Sequence, residues 1–233
     1  MTDHDIDEIL EGASHTSGVP SVESSRNQIL SSLRPVRPLA PTWVWITAFL
    51  LVFAVVAVAG AARLGMYGLH ALSPLQQGII FTVVGAAAIF AAIAIVREMI
   101  PASGRRIAGA ALLIAAVGLL TIFPLLFHDY GMRRFVPQGL ACLGAGLTFA
   151  IPAAIAVGLL ARRGFVLSLT AAGVAAGTLA GLAGIGVLEL HCPILQAPHV
   201  MVWHIGVVVV SGAVGWLIGK LVEQVSRPVR RVR

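Results

Sequence analysis

Six apolar segments decide what this chain can fold into. Each is close to the ~20 residues a helix needs to cross ~30 Å of hydrocarbon. They fall near 43–62, 76–96, 108–127, 138–161, 165–188 and 200–219. Charged residues make up only 11% of the 233, against roughly 25% in a soluble domain. The pattern predicts an all-α fold, a bundle of six transmembrane helices. A polar tail over residues 1–41 precedes the helical domain at 42–220, and a basic tail follows at 221–233. The early positions are acidic where a signal peptide would be basic, so the first apolar run is expected to be a retained helix.

Basic residues orient the bundle. Arg26, Arg34 and Arg37 lie in the N-terminal tail, Arg97, Arg105 and Arg106 in the second link, and Arg162 and Arg163 in the fourth. Lys220, Arg227, Arg230, Arg231 and Arg233 close the chain, whereas the first, third and fifth links hold only Arg63, Arg133 and Arg134. Loops rich in Lys and Arg stay on the cytoplasmic side, so both termini are expected inside. The net charge of +6 then reflects helix anchoring and membrane lipid, and direct binding of nucleic acid is not expected.

The tail has a pattern of its own. Six acids (Asp3, Asp5, Asp7, Glu8, Glu11, Glu23) and no Lys or Arg occupy residues 1–25. Ile6, Ile9 and Leu10 share one helical face; Val22, Ile29, Leu30 and Leu33 form a second stripe, with Ser21 placed to cap it. Pro35, Pro38 and Pro41 make the following stretch an extended spacer. Short helices are marginal alone in water, so the tail reads either as disordered or as two helices that fold on a partner.

Small residues repeat four apart at Gly173, Gly177 and Gly181 on the fifth segment, and at Gly215 and Gly219 on the sixth. Such faces allow close backbone approach where lipid offers no hydrophobic drive. Packing inside the bundle is the simpler use of them, and oligomeric state is left open.

With this topology the polar chemistry gathers at the outer face. His70 and His128 fall in the first and third links, and Glu189, His191, Cys192 and His199 in the fifth. His204 lies about one turn into the last helix and Cys142 about one turn into the fourth. Two cysteines without a Cys-x-x-Cys motif exclude a disulfide scaffold and the common zinc motifs. Three uses of Cys142 and Cys192 stay open: plain packing, a bridge in an oxidising compartment, or a sensor in which imidazoles assist a thiolate. Cys142, Cys192, His191, His199 and His204 are the sensor candidates, and the first four the candidate ligands of a transiently bound heavy-metal ion; no resident cofactor is expected. His199 and His204 are five residues apart, which on an α-helix would not put them on one face. A preformed tetrahedral zinc site is therefore not expected. Glu189 could support an imidazole from behind.

The run Leu190-His191-Cys192-Pro193, then His199, then Val202-Trp203-His204, resembles the NrsF-type family of six-helix bacterial inner-membrane anti-sigma factors, negative regulators of sigma F. The Pro-Val-Arg-Pro-Leu-Ala-Pro run at 35–41 before the first span and one cysteine in each of the fourth and fifth outer regions fit the same pattern, over about residues 22–220. The resemblance implies a multi-pass protein of the bacterial inner membrane. It further implies that the cytoplasmic tail sequesters an extracytoplasmic-function sigma factor, and that Cys142 and Cys192 answer heavy-metal or oxidative stress.

Other classes fare worse. A transporter or channel would want broken helices and polar groups at mid-membrane. A haem or quinone protein would want histidines facing each other inside the bundle. No Ser/His/Asp arrangement, phosphate loop or paired carboxylate is present, so no catalytic residue and no enzyme activity are expected.

Overall fold

A computed structural model of the chain describes residues 22–32, 40–100, 108–164 and 166–226. The chain divides into two units, Met1–Leu39 and Ala40–Arg233. In the first, helix α1 spans Val22–Ser32 and leaves Ile29 and Leu30 exposed. Ile6, Ile9, Leu10 and Leu33, expected as partner-binding positions, lie outside the described residues, as does the side chain of Val22.

Among the described residues, the regular elements of the second unit are helices. Its elements are α2 (Thr42–Leu64), the short α3 (Tyr67–Ala71), α4 (Pro74–Met99), α5 (Ala108–Leu126), α6 (Phe135–Ala161) and α7 (Leu169–His191). Then follow α8 (Ala197–His199), a π turn over Val200–His204, and α9 (Ile205–Ser226). These last three run together as one span, Ala197–Ser226. Among the described residues, five helices are long and apolar enough to cross a membrane: α2, α4, α6, α7 and this last span. The expected third segment forms α5, whose side chains are described from residue 116 onward.

Helix α7 is the axis of the unit. In its most apolar stretch 72% of residues are buried, against 17% in the last span. It packs against α2, α4, α6 and α9, and its glycines are what let three of them, α2, α6 and α9, come so near. A Cβ at Gly173 would sit 2.2 Å from the carbonyl oxygen of Gly215, and one at Gly177 would sit 2.2 Å from that of Ser211. A Cβ at Gly184 would meet the Gly146 carbonyl of α6 at 2.5 Å, and one at Gly186 would meet Ala57 of α2 at 2.9 Å. The glycine stripes of α7 and α9 therefore face each other within one chain. Close backbone contact supplies the dispersion energy that the hydrophobic effect cannot supply between helices in lipid.

Local signals set the helix ends. The Ser73 side chain accepts from the Gln76 N–H while the Gln76 side chain accepts from the Ser73 N–H, a reciprocal cap for α4. Ser168 accepts from Ala171 N–H and starts α7. Gly65, at φ 96°, ends α2 in a conformation that favours glycine. Helix α7 runs to His191, three residues past the expected end, and the last span begins at Ala197, three before the expected start. Glu189 and His191 thus ride on helix α7 rather than in a link, and His199 belongs to the last span. The physical reasons are Pro193, just past the end of α7, and Pro198 at the first turn of the last span. The link between them is only Cys192–Gln196.

Candidate cysteine and histidine site

Four elements bring the polar residues together. Cys142 lies two turns into α6, because that helix begins at Phe135 rather than 138. Cys192 is the first residue past α7, and its N–H donates to the Leu188 carbonyl (2.7 Å). His199 ends α8, and His204 ends the π turn. Short α3 closes over the end of α7: a Cβ at Gly68 would sit 2.7 Å from the Glu189 carbonyl oxygen and 2.8 Å from that of Cys192. On the far side the Ala197 N–H donates to the Asp129 carbonyl (2.8 Å), tying the start of the last span to the link after α5.

The π turn overturns the expectation drawn from the five-residue spacing. On an α-helix, five residues advance about 500°, leaving the two side chains about 140° apart. Here Ile205 N–H donates to the Val200 carbonyl, an i→i+5 bond that widens the turn and brings residues five apart onto one side. The rings of His199 and His204 stand edge to face, with centroids 5.3 Å apart. Trp203 holds this turn against α6. Its indole lies so close to Gly139 that a Cβ there would come within 2.0 Å of it, and it packs on Phe135 with centroids 5.4 Å apart.

One ligand atom from each of Cys142, Cys192, His199 and His204 falls within a group no more than 4.8 Å across. The two Sγ atoms are 3.6 Å apart and both thiols are free. Cys192 Sγ is 3.7 Å from His199 Nε2. His204 Nδ1 donates to Glu189 Oε1 at 2.8 Å, so Glu189 is the support for an imidazole that its position foreshadowed. That leaves His204 Nε2 buried and without a hydrogen-bond partner. His199 and His204 are each 1% exposed and Glu189 is 3%. Contact with Cys142, together with burial, pushes the Cys192 thiol above its ordinary range.

His191, expected among the ligands, stands outside this group. Its Nδ1 is 2.9 Å from the Gly65 carbonyl and its ring meets the edge of Tyr67. It joins α7 to the end of α2. His204, expected only as a sensor residue, takes its place among the four. The sequence signal for the exchange is helical phase: with α7 extended to His191, Glu189 and His191 are two positions apart and face different neighbours.

Five helices long and apolar enough to cross a membrane, among the described residues, place the chain among multi-pass membrane proteins. Comparison with known proteins gives it a lineage. The family model described as NrsF, negative regulator of sigma F, matches residues 30–223, and the chain belongs to that family. No curated protein and no solved structure matches it. The match begins at residue 30, so Ile6, Ile9, Leu10, Val22 and Ile29 precede it, and Leu30 and Leu33 fall within it.

Proposed function

We propose that this chain is a membrane-bound anti-sigma factor that sequesters an extracytoplasmic-function sigma factor through its cytoplasmic N-terminal segment. It releases that factor when the site around Cys142 and Cys192 meets a heavy metal or an oxidant. The family match over residues 30–223 carries the regulatory part of this reading.

In this reading α5 completes a set of six spans in the inner membrane, and both termini are cytoplasmic. The Lys and Arg distribution supports that orientation. The Cys/His cluster then faces outward, on the opposite side from the tail. Helix α1, with Ile29 and Leu30 exposed, offers an apolar stripe to the sigma factor, and Ile6, Ile9, Leu10, Val22 and Leu33 extend it.

The signal crosses the membrane along α7 and the last span. Both lead directly from the cluster, and they stay in backbone contact down to Gly219, whose Cβ would sit 2.3 Å from the Leu169 carbonyl oxygen. At the inner end Thr170 donates to Glu223 at 2.8 Å. A change of ligand or oxidation state at the outer end repositions the last span against α7, and the tail then releases the sigma factor. The signal must bind the two states differently, by about 1–3 kcal/mol for a typical coupling.

A sigma-dependent promoter fused to a reporter tests the whole chain of events. The wild type is expected to respond to cadmium or dichromate. The Cys142→Ser/Cys192→Ser variant is expected to keep the promoter silent, and deletion of residues 1–32 to leave it constitutively active. A response to metal that survives loss of both thiols would remove the sensing role. A promoter still silent after loss of the tail would remove the tail's.

A further inference from the structure

The cluster is more than a pair of reactive thiols. We propose that Cys142, Cys192, His199 and His204 form a tetrahedral site for a resident Zn²⁺ ion, with Glu189 as the positioning residue that holds His204. This deepens the sensing role given above by naming what the site holds before any stress arrives. It stands on separate geometry.

The distances already fit the ion. Zinc takes thiolate sulfur at about 2.3 Å and imidazole nitrogen at about 2.0–2.1 Å. A tetrahedron of those bonds puts sulfur about 3.8 Å from sulfur and about 3.6 Å from nitrogen. The Sγ–Sγ separation is 3.6 Å and the Cys192 Sγ–His199 Nε2 separation is 3.7 Å. All four ligand atoms lie within 4.8 Å of one another, so the widest pair closes by about 1–1.5 Å at most, a side-chain adjustment, to reach the tetrahedral edge.

The chemistry fits as well. His204 Nδ1 donates to Glu189, and Nε2 is buried with no partner. A buried nitrogen left unpaired is costly, and an ion accepting its lone pair removes that cost. The carboxylate behind it fixes the ring and raises its basicity, as carboxylates behind zinc-bound histidines do. Binding consumes one Zn²⁺ and releases the two thiol protons. The product carries two thiolates against one dication, so the ion with its four ligands is neutral, and no electron is transferred. The Glu189 carboxylate behind His204 adds one negative charge to the buried group, and the His204 Nδ1–H bonds to it. Four protein ligands leave no open position, which marks a structural ion rather than a catalytic one.

The π turn acquires a purpose here. Without the extra residue per turn, His199 and His204 could not both point to one centre. Such turns occur frequently at functional sites.

The test uses the full chain without a polyhistidine tag, purified in detergent, with metal content read by mass spectrometry. About one zinc ion per chain is expected; absence of zinc, or copper in its place, overturns the assignment. Exchange of zinc for Co²⁺ then reports geometry. The wild type should show the intense visible bands of tetrahedral cobalt together with thiolate-to-cobalt charge transfer. Weak octahedral bands in the wild type would overturn the proposal, and that reading requires no variant to fold. C142S/C192S should lose both features; their persistence would also overturn it. Glu189→Gln should keep the tetrahedral spectrum with affinity reduced about 10–100-fold, and unchanged affinity would remove Glu189 from its positioning role. The two readings fail separately. Zinc binding without a cysteine-dependent promoter response removes the sensor and leaves the site, and the reverse result removes the site and leaves the sensor.

Discussion

The pair formed by α7 and the last span is built in two different ways along its length. From Leu169 to Gly181 the helices meet through bare backbone. Gly173, Gly177, Gly215 and Gly219 leave no room for a single added carbon. From Glu189 outward the same helices meet through side chains, with a carboxylate, two imidazoles and a thiol buried together and a second thiol supplied by α6. The first half is held by backbone shape. In the proposed reading the second is held by ligand chemistry and shifts with its ligand state, so that assembly and switching are kept apart on one helix pair.

The comparison breaks most violently at the glycine stripes. Gly215→Leu would drive a side chain into the Gly173 carbonyl, which lies 2.1 Å from where its Cβ would sit. Backbone cannot swing aside as a side chain can, so the helices must part, at a cost at or beyond the ~1–3 kcal/mol usual for overpacking. We expect little monodisperse protein on size-exclusion chromatography, whatever metal is supplied. A variant that folds normally would show that the stripes are not the fixed half.

A second substitution strikes the joint between the halves. Gly139→Val would push the Trp203 indole off α6 and displace the π turn. Stability is expected to fall by about 1–3 kcal/mol, read as a lowered thermal midpoint. The more telling outcome is cobalt binding, which should weaken because His199 and His204 no longer converge. Tetrahedral cobalt with wild-type affinity in this variant would separate Trp203 from the site.

The smallest effect is expected at His191. It bonds to the Gly65 carbonyl rather than to the cluster. His191→Ala should therefore cost about 1 kcal/mol of stability and leave zinc content unchanged. Loss of the metal would redraw the ligand set.

The gross architecture was legible in the sequence because hydrocarbon thickness dictates segment length. The apolar runs near 43–62, 76–96 and 138–161 correspond closely to α2, α4 and α6. The glycine stripes were legible for a similar reason, since spacing by four marks one helical face. What the sequence concealed was phase at the outer edge. Hydropathy fades gradually there and points to an end of α7 three residues early, although Pro193 marks where the helix must stop. The site was half legible. Cys142, Cys192, His199 and His204 all stand out as chemistry near one edge, but His204 falls outside the expected ligand set because regular α-helical geometry across Val200–His204 turns it away from His199. A single i→i+5 bond, Ile205 to Val200, reverses that conclusion, and no residue in the run announces it. His191 misled by proximity, since adjacency to Cys192 in sequence places it on a different side of the helix end.

X-ray absorption at the zinc edge of the purified wild-type chain tests the central claim most directly, because it reads the outer half of the helix pair from the ion's own position. The account predicts a four-atom shell with two sulfurs at about 2.3 Å and two nitrogens at about 2.0–2.1 Å. A shell of oxygen and nitrogen alone, with no sulfur, would contradict it.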